Sequence, residues 1–236
     1  MHVESKRTNN DGVWIHYLDS AASTSLVPVI ICPGLSETAE EYTDLIEYLS
    51  PRRCVVLSFR GRGQSDTPAS GYNLVDHVTD LESVVQDADL NRFHLFSYSR
   101  GVSYALGFAE KHPSQVVSLI VQDYPAEHKK MPEGWASEYI NHYLVPFSRQ
   151  RNIRPDAVWG IQRESEQVYF DFRLNKKLLV LKGMLEGNLL SDEAVEAYRR
   201  ISSDVMVKGF GRSGHDIRNT EKELLYRTIG EFLNLS

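Results

Sequence analysis

The 236-residue chain is 42% hydrophobic and 25% charged, which is enough apolar length for one globular domain with a sizeable core. Against 32 acidic side chains stand 26 basic ones, a net charge of −6, and the only adjacent lysines are the isolated pairs Lys129-Lys130 and Lys176-Lys177, so a nucleic-acid or anionic-membrane partner is not expected. The apolar runs are all strand-length and residues 1–7 lack the apolar core of a signal peptide, which predicts a cytoplasmic protein with no membrane span.

Residues 2–9 and 12–19 flank Asn9-Asn10-Asp11-Gly12, whose Asp-Gly step supplies the positive φ of a tight turn, so a β-hairpin at a sheet edge is expected. Val27–Cys32 and Cys54–Phe59 are uninterrupted apolar runs, the mark of strands covered on both faces. Each of these holds or starts with one of the two cysteines, Cys32 and Cys54, read as buried thiols rather than a disulfide or zinc site. Between the two strands, Ser36 is the predicted N-cap of a helix carrying Tyr42, Leu45, Ile46 and Leu49 on one side. Arg60-Gly61-Arg62-Gly63-Gln64-Ser65-Asp66 marks a tight loop, and Leu74–Leu90 has helical spacing. A further apolar strand, Phe93–Phe96, meets a helix over Val102–Lys111, and Val116–Val121 is the sixth strand, ending at Asp123. Residues 126–175 break the rhythm and are rich in aromatics; Trp135, Tyr139 and Tyr143 are four apart and share a helix face. The pattern resumes with a strand at Leu178–Leu181, a helix at Ser191–Ile201, a strand at Val205–Val207 and a closing helix at Thr220–Leu233.

Strands alternating with helices predict an α/β fold: a mostly parallel, doubly wound sheet of about eight strands with helices on both faces. Residues 1–125 and 176–236 form its core, and residues 126–175, too long for an ordinary connection, are an inserted helical cap over the carboxyl ends of the strands, where such sheets bind ligands.

Between the Phe93 strand and the Val102 helix lies Ser97-Tyr98-Ser99-Arg100-Gly101. So abrupt a strand-to-helix reversal forces its middle residue, Ser99, into a strained conformation above the sheet edge, with the small Ser97 and Gly101 permitting close packing. Taken alone, the stretch is equally a small-residue βα turn. Four pieces together, VPVIICPGLSET, SFRGRGQSDTP, FSYSRG and SGH, fall in one order along nearly the whole chain. In that order the chain resembles the α/β-hydrolase superfamily, close to its small cap-bearing serine esterases. It departs from the family pattern at Ser97, which replaces a glycine, at Val102, where a further small residue is common, and at Pro33, which replaces a histidine.

The resemblance implies a Ser-acid-His triad in that chain order. Ser99 is the nucleophile and His215, in Ser213-Gly214-His215-Asp216, is the base. Of the other histidines, His2 and His16 lie in the hairpin, His77 in a helix, His94 in the Phe93 strand, His112 at a helix end and His128 and His142 in the cap, and each is read as structural. For the acid, Glu186 in the loop after the penultimate strand is preferred to Asp123. The backbone N–H groups of Leu35 and Arg100 are the implied oxyanion donors, with Gly34 allowing close approach. A structural ion pair is preferred for the Arg100 side chain over recognition of an acidic substrate. Trp135, Tyr139 and Tyr143 are expected to line the substrate pocket.

Serine at the elbow sets the chain apart from the epoxide hydrolases and haloalkane dehalogenases of this fold, which use Asp there. The expected function is hydrolysis of a small carboxylic ester, lactone or thioester through an acyl-enzyme, with no cofactor or metal and a monomeric or homodimeric state. A C–C bond hydrolase and a ligand-binding or signalling protein with slow or no turnover are the alternatives.

Overall fold

The computed structural model describes residues 2–235. The chain opens with the antiparallel hairpin β1 (Glu4–Asn10) and β2 (Val13–Asp19), joined through Asp11 and Gly12 at φ 47° and 90°. β3 (Val29–Cys32) leads through a single 3-10 turn, Ala39–Tyr42, into α1 (Thr43–Leu49). Then come β4 (Cys54–Ser58), α2 (Leu74–Asp87), β5 (Phe93–Tyr98), α3 (Gly101–Lys111) and β6 (Val116–Gln122). The segment after β6 holds β7 (Glu127–His128), α4 (Trp135–Tyr139) running into a π-helical turn (Ile140–Leu144), α5 (Pro155–Glu164) and β8 (Val168–Tyr169). The chain ends with β9 (Lys177–Gly183), α6 (Asp192–Ile201), β10 (Val205–Phe210), the short α7 (Ile217–Thr220) and α8 (Lys222–Leu235).

Eight strands form one sheet in the order β1-β2-β4-β3-β5-β6-β9-β10, antiparallel at the hairpin and parallel from β4 onward. The uninterrupted apolar runs are explained by strand alternation between two covered faces. Ile30, Val55, Leu95, Leu119 and Val180 face α2, α3 and α6, and Val29, Ile31, Val56, Phe96, Ile120 and Leu179 face α1 and α8. Each such side chain, taken wholly out of water, contributes about 1.5–3 kcal/mol before the chain-entropy cost.

Two helix boundaries differ from the sequence reading. Ser36 is not an N-cap; Thr38 takes that place, and its N–H donates to the Glu41 carboxylate at 2.9 Å. The closing helix is split, because Asp216 caps a separate turn at Asn219 and the chain breaks at Glu221 before α8.

Residues 126–175 are helical in part but also carry the β7–β8 ribbon, paired Glu127 with Tyr169 and His128 with Val168. They build a small apolar cluster of their own around Tyr72, where Leu144, Ile153, Val158 and Ile161 converge. Polar ties hold the segment to the body: Glu164 accepts the N–H groups of Gly71 and Tyr72 at 2.7 and 2.8 Å, and Arg154 Nε donates to Thr67 at 2.6 Å. No helix among the described residues is long and apolar enough to cross a membrane.

At the hairpin end of the sheet, the wholly buried Asp19 carboxylate accepts two bonds from Arg53, at 3.0 and 2.7 Å, one from Lys6 at 3.3 Å and the Ala21 N–H at 2.8 Å. Burial pushes the Asp19 carboxyl up, but Arg53, Ala21 and Lys6 outweigh it and hold the group below the ordinary carboxylate range. A lowered folded-state value stabilises the fold above the unfolded value of about 3.9, and the contribution fades as pH falls through the folded one. Asp19→Asn is therefore expected to cost roughly 2–3 kcal/mol at pH 7. In urea titrations the gap from wild type narrows as pH approaches about 3.

Candidate active site

The site begins at the end of β5. Ser99 turns the chain from strand to helix with φ 51°, the strained left-handed conformation expected of it. A Cβ at Gly101 would lie 2.3 Å from the Pro33 carbonyl oxygen and 2.5 Å from that of Cys32, so only glycine lets α3 start so close to the β3 loop. Ser97 is buried and its hydroxyl donates to the Ile120 carbonyl at 3.1 Å, which accommodates the departure from glycine there.

Ser99 Oγ donates to His215 Nε2 at 2.9 Å, and His215 Nδ1–H donates to Asp123 Oδ2 at 2.8 Å. His215 stacks on the Tyr98 ring, with centroids 4.9 Å apart and planes at 26°, which fixes the imidazole's orientation. Asp123 is fully buried, sits at φ 47° and also accepts the N–H groups of Gly183 at 3.1 Å and Leu189 at 2.9 Å.

The preference for Glu186 is corrected by this geometry. Glu186 is exposed, and its backbone carbonyl is turned toward Gly214, where a Cβ would come within 2.6 Å of that oxygen. The loop that carries Glu186 donates N–H groups to Asp123 and supplies no carboxylate to His215. No sequence signal distinguishes the two carboxylates, because the choice depends on how closely the 183–189 and 213–215 loops approach: a Cβ at Gly183 would lie 1.9 Å from the Gly214 oxygen.

Gly34 lies against the serine; a Cβ there would be 3.2 Å from Ser99 Cβ and 3.0 Å from the Tyr98 ring. The loop after β3 thus packs directly against Ser99 at Gly34. Neither the Leu35 nor the Arg100 N–H has a protein acceptor among the described residues. Four side chains clasp the loop: Arg62 Nε donates to the Leu35 carbonyl at 3.1 Å, Tyr139 to the Ser36 hydroxyl at 2.9 Å, Arg149 to the Ser36 carbonyl at 2.7 Å, and Glu37 accepts the Gly34 N–H at 2.8 Å. Sequence reasoning placed Tyr139 at the pocket but missed the hold of Arg62, Arg149 and Glu37 on this loop, since nothing in RGRGQSD or around residues 37 and 149 shows which backbone groups they reach.

The Arg100 side chain departs from expectation as well. It forms no ion pair among the described residues; its donors go to Tyr104, Lys129, Met131, His128 and Ser165. Burial first, and Arg100 next, push His128 down to about 3, so it stands neutral.

A cavity of about 770 Å³ opens over Ser99 and His215. Trp135, Tyr139 and Tyr143 form one wall, their rings stacked at 5.3 and 5.1 Å, and Leu35, Arg100, Tyr124, Lys129 and Met131 lie elsewhere on its surface. No group of three or more His, Cys, Asp and Glu among the described residues is arranged to hold a metal ion.

A family model for the alpha/beta hydrolase fold matches residues 27–159, which run from β3 through the elbow into α5. The chain belongs to the α/β-hydrolase fold family. Within it, the chain is 28% identical over 117 residues to a Bacillus subtilis (strain 168) protein whose provisional name is 2-succinyl-6-hydroxy-2,4-cyclohexadiene-1-carboxylate synthase. That match takes in 49% of this chain but 42% of the relative, so the chain spans less than half of it. It is 22% identical over 208 residues to the soluble epoxide hydrolase of Corynebacterium sp. (strain C12), covering 86% of this chain and 68% of that one. Among solved structures, Est816, described as an N-acyl homoserine lactone degrading enzyme, superposes with a TM-score of 0.77 at 18% identity, over 96% of this chain and 100% of its own.

The packing at the elbow makes a direct prediction. Gly101→Ala drives a methyl group into two backbone carbonyls and is expected to cost about 3 kcal/mol. A thermal melt would read this as a drop in Tm of roughly 10 °C.

Proposed function

We propose that the protein is a serine hydrolase acting on a carbonyl substrate, an ester, lactone or thioester, through an acyl-enzyme. The observation that carries this is the unbroken chain Ser99 Oγ–His215 Nε2 at 2.9 Å and His215 Nδ1–Asp123 Oδ2 at 2.8 Å, with two unspent N–H donors beside the serine. His215 takes the Ser99 proton as Oγ attacks the carbonyl carbon, then gives it to the leaving alcohol or thiol as the old C–O or C–S bond breaks. Water repeats the sequence to release the acid. Asp123 holds the imidazole tautomer and balances the imidazolium; Glu186 has no part. The N–H groups of Leu35 and Arg100 stabilise the oxyanion, an effect worth about 3–4 kcal/mol per donor in such sites.

Residues 126–175 act as the cap, and the stacked Trp135, Tyr139 and Tyr143 receive the apolar part of the substrate. A serine at the elbow separates this chemistry from that of its epoxide-hydrolase relative, since enzymes of that class on this fold carry Asp there.

Ser99→Ala is expected to lower hydrolysis of 4-nitrophenyl acetate by several orders of magnitude, and Asp123→Asn by roughly 10³–10⁴ in kcat. Glu186→Gln should match wild type. Full activity in Ser99→Ala would refute the assignment, and equal losses in the two acid variants would refute the role of Asp123.

A further inference from the structure

Two guanidinium groups beneath the cavity are buried with no carboxylate partner among the described residues. Arg62, 1% exposed, donates to the carbonyls of Leu35 and Arg60, to His77 and, at 3.5 Å, to the Tyr104 hydroxyl. Arg100, 2% exposed, donates through Nε to that same hydroxyl at 3.2 Å. Its Nη2 donates to Ser165 at 2.7 Å and to His128 and the Lys129 carbonyl, both at 3.2 Å. The remaining nitrogen, Nη1, reaches the Lys129 carbonyl and the Met131 thioether, both at 3.2 Å. The other arginines near the cavity are matched: Arg149 with Glu41 at 2.8 Å, Arg218 with Glu37 at 2.7 Å, and Arg60 with Asp80 at 2.6 Å.

A guanidinium keeps its charge in any protein setting, and neutral dipoles repay only part of its lost hydration. The surplus charge is open to compensation on one side. Both acceptors of Arg100 Nη1 belong to residues that line the cavity, and a thioether is a weak acceptor for a charged donor. Lys129 adds a second cation to this wall, 5.4 Å from the Tyr124 ring centroid, with Glu127 at 3.7 Å as its one carboxylate neighbour.

We propose that the substrate carries a carboxylate, which replaces the Met131 thioether on Arg100 Nη1 and pairs with the Lys129 ammonium while the scissile carbonyl lies at Ser99. This rests on the serine-hydrolase reading for its chemistry and adds the substrate class. Arg100 follows Ser99 directly, so the carboxylate lies a few bonds from the carbonyl, as in the half-esters of short dicarboxylic acids. The leaving alcohol then falls against the aromatic wall. Arg–carboxylate contacts of this kind are charge-assisted and directional, which makes them a filter for substrate as well as a source of affinity.

The test compares mono-4-nitrophenyl glutarate with its methyl ester, in which a neutral methoxycarbonyl group replaces the carboxylate, and follows release of 4-nitrophenol from both. Wild type is expected to favour the charged ester at least tenfold in kcat/KM, mainly through KM, and Lys129→Met to shrink that preference about tenfold. Equal or better turnover of the methyl ester would overturn the proposal while leaving the serine-hydrolase reading intact. If neither ester is turned over, that reading fails instead, and calorimetric titration of glutarate decides the site. Binding that is lost in Lys129→Met upholds it, and no binding to wild type rejects it.

Discussion

The left-handed turn at the end of β5 is the constraint on which the site depends. Ser99 at φ 51° stores strain of about 1–3 kcal/mol, which persists only where the surroundings over-determine it. Here they do: the Ser99 N–H donates to the Gln122 carbonyl at 3.0 Å, and Gly101 sits against the backbone of Pro33. The next strand repeats the device. Asp123 has φ 47°, and its N–H donates to Leu181 at 2.8 Å. Tyr98 pairs with Gln122 in the β5–β6 register, so Ser99 and Asp123 are the next residues on two adjacent strands. Two matched turns at one level of the sheet leave a gap that a single imidazole bridges, and His215 fills it from the loop after β10.

Residues 126–175 and the loop after β3 are not mechanically independent. Tyr139 and Arg149 both bond Ser36, and Arg62 holds the next carbonyl back, at Leu35. Any movement of the α4 segment away from the cavity must therefore break bonds to the loop that carries one proposed oxyanion donor. In the proposed reading, substrate packed against Trp135 and Tyr139 reinforces those bonds, which couples occupancy of the aromatic wall to the geometry of the donor. Such coupling spends binding energy on orientation at the reacting centre.

The strands were legible because the sheet is covered on both faces: runs such as Val29-Ile30-Ile31-Cys32 have no polar interruption to confuse with a helix stripe. The elbow, His215, the Leu35 loop and the aromatic wall were legible because each needs a residue type that stands out locally. The identity of the acid was not, since Asp123 and Glu186 both follow strands at the same edge and only contacts between glycine backbones in the 183–189 and 213–215 loops separate them. The Ser36 cap was misread for a related reason. A serine before a helix reads as a cap, yet its hydroxyl and carbonyl are taken by Tyr139 and Arg149, more than a hundred residues away. The fate of Arg100 was equally hidden, because an ion pair is the default partner for a buried arginine and the acceptors it finds instead are backbone, hydroxyl, imidazole and sulfur.

That surplus of buried positive charge also bears on the chemical step. In the proposed mechanism, forming the tetrahedral intermediate moves a full negative charge onto an oxygen beside the Leu35 and Arg100 N–H groups, while a positive charge appears on His215. Asp123 compensates the imidazolium directly, at 2.8 Å. Among the described residues no carboxylate is matched to the Arg100 and Arg62 guanidiniums, so in that mechanism their field is free to act on the oxyanion. A unit charge at roughly 8 Å is worth about 2 kcal/mol at an effective dielectric near 20. Two such cations, Arg62 held by four neutral acceptors and Arg100 by five, are already oriented before the reaction begins, so little of that energy is lost to reorganisation. A substrate carboxylate docked on Arg100 would screen part of this field from the oxyanion. The site then trades some transition-state stabilisation for selectivity, a balance in which Arg62, farther from the cavity and beyond the carboxylate's reach, keeps acting on the reacting carbonyl.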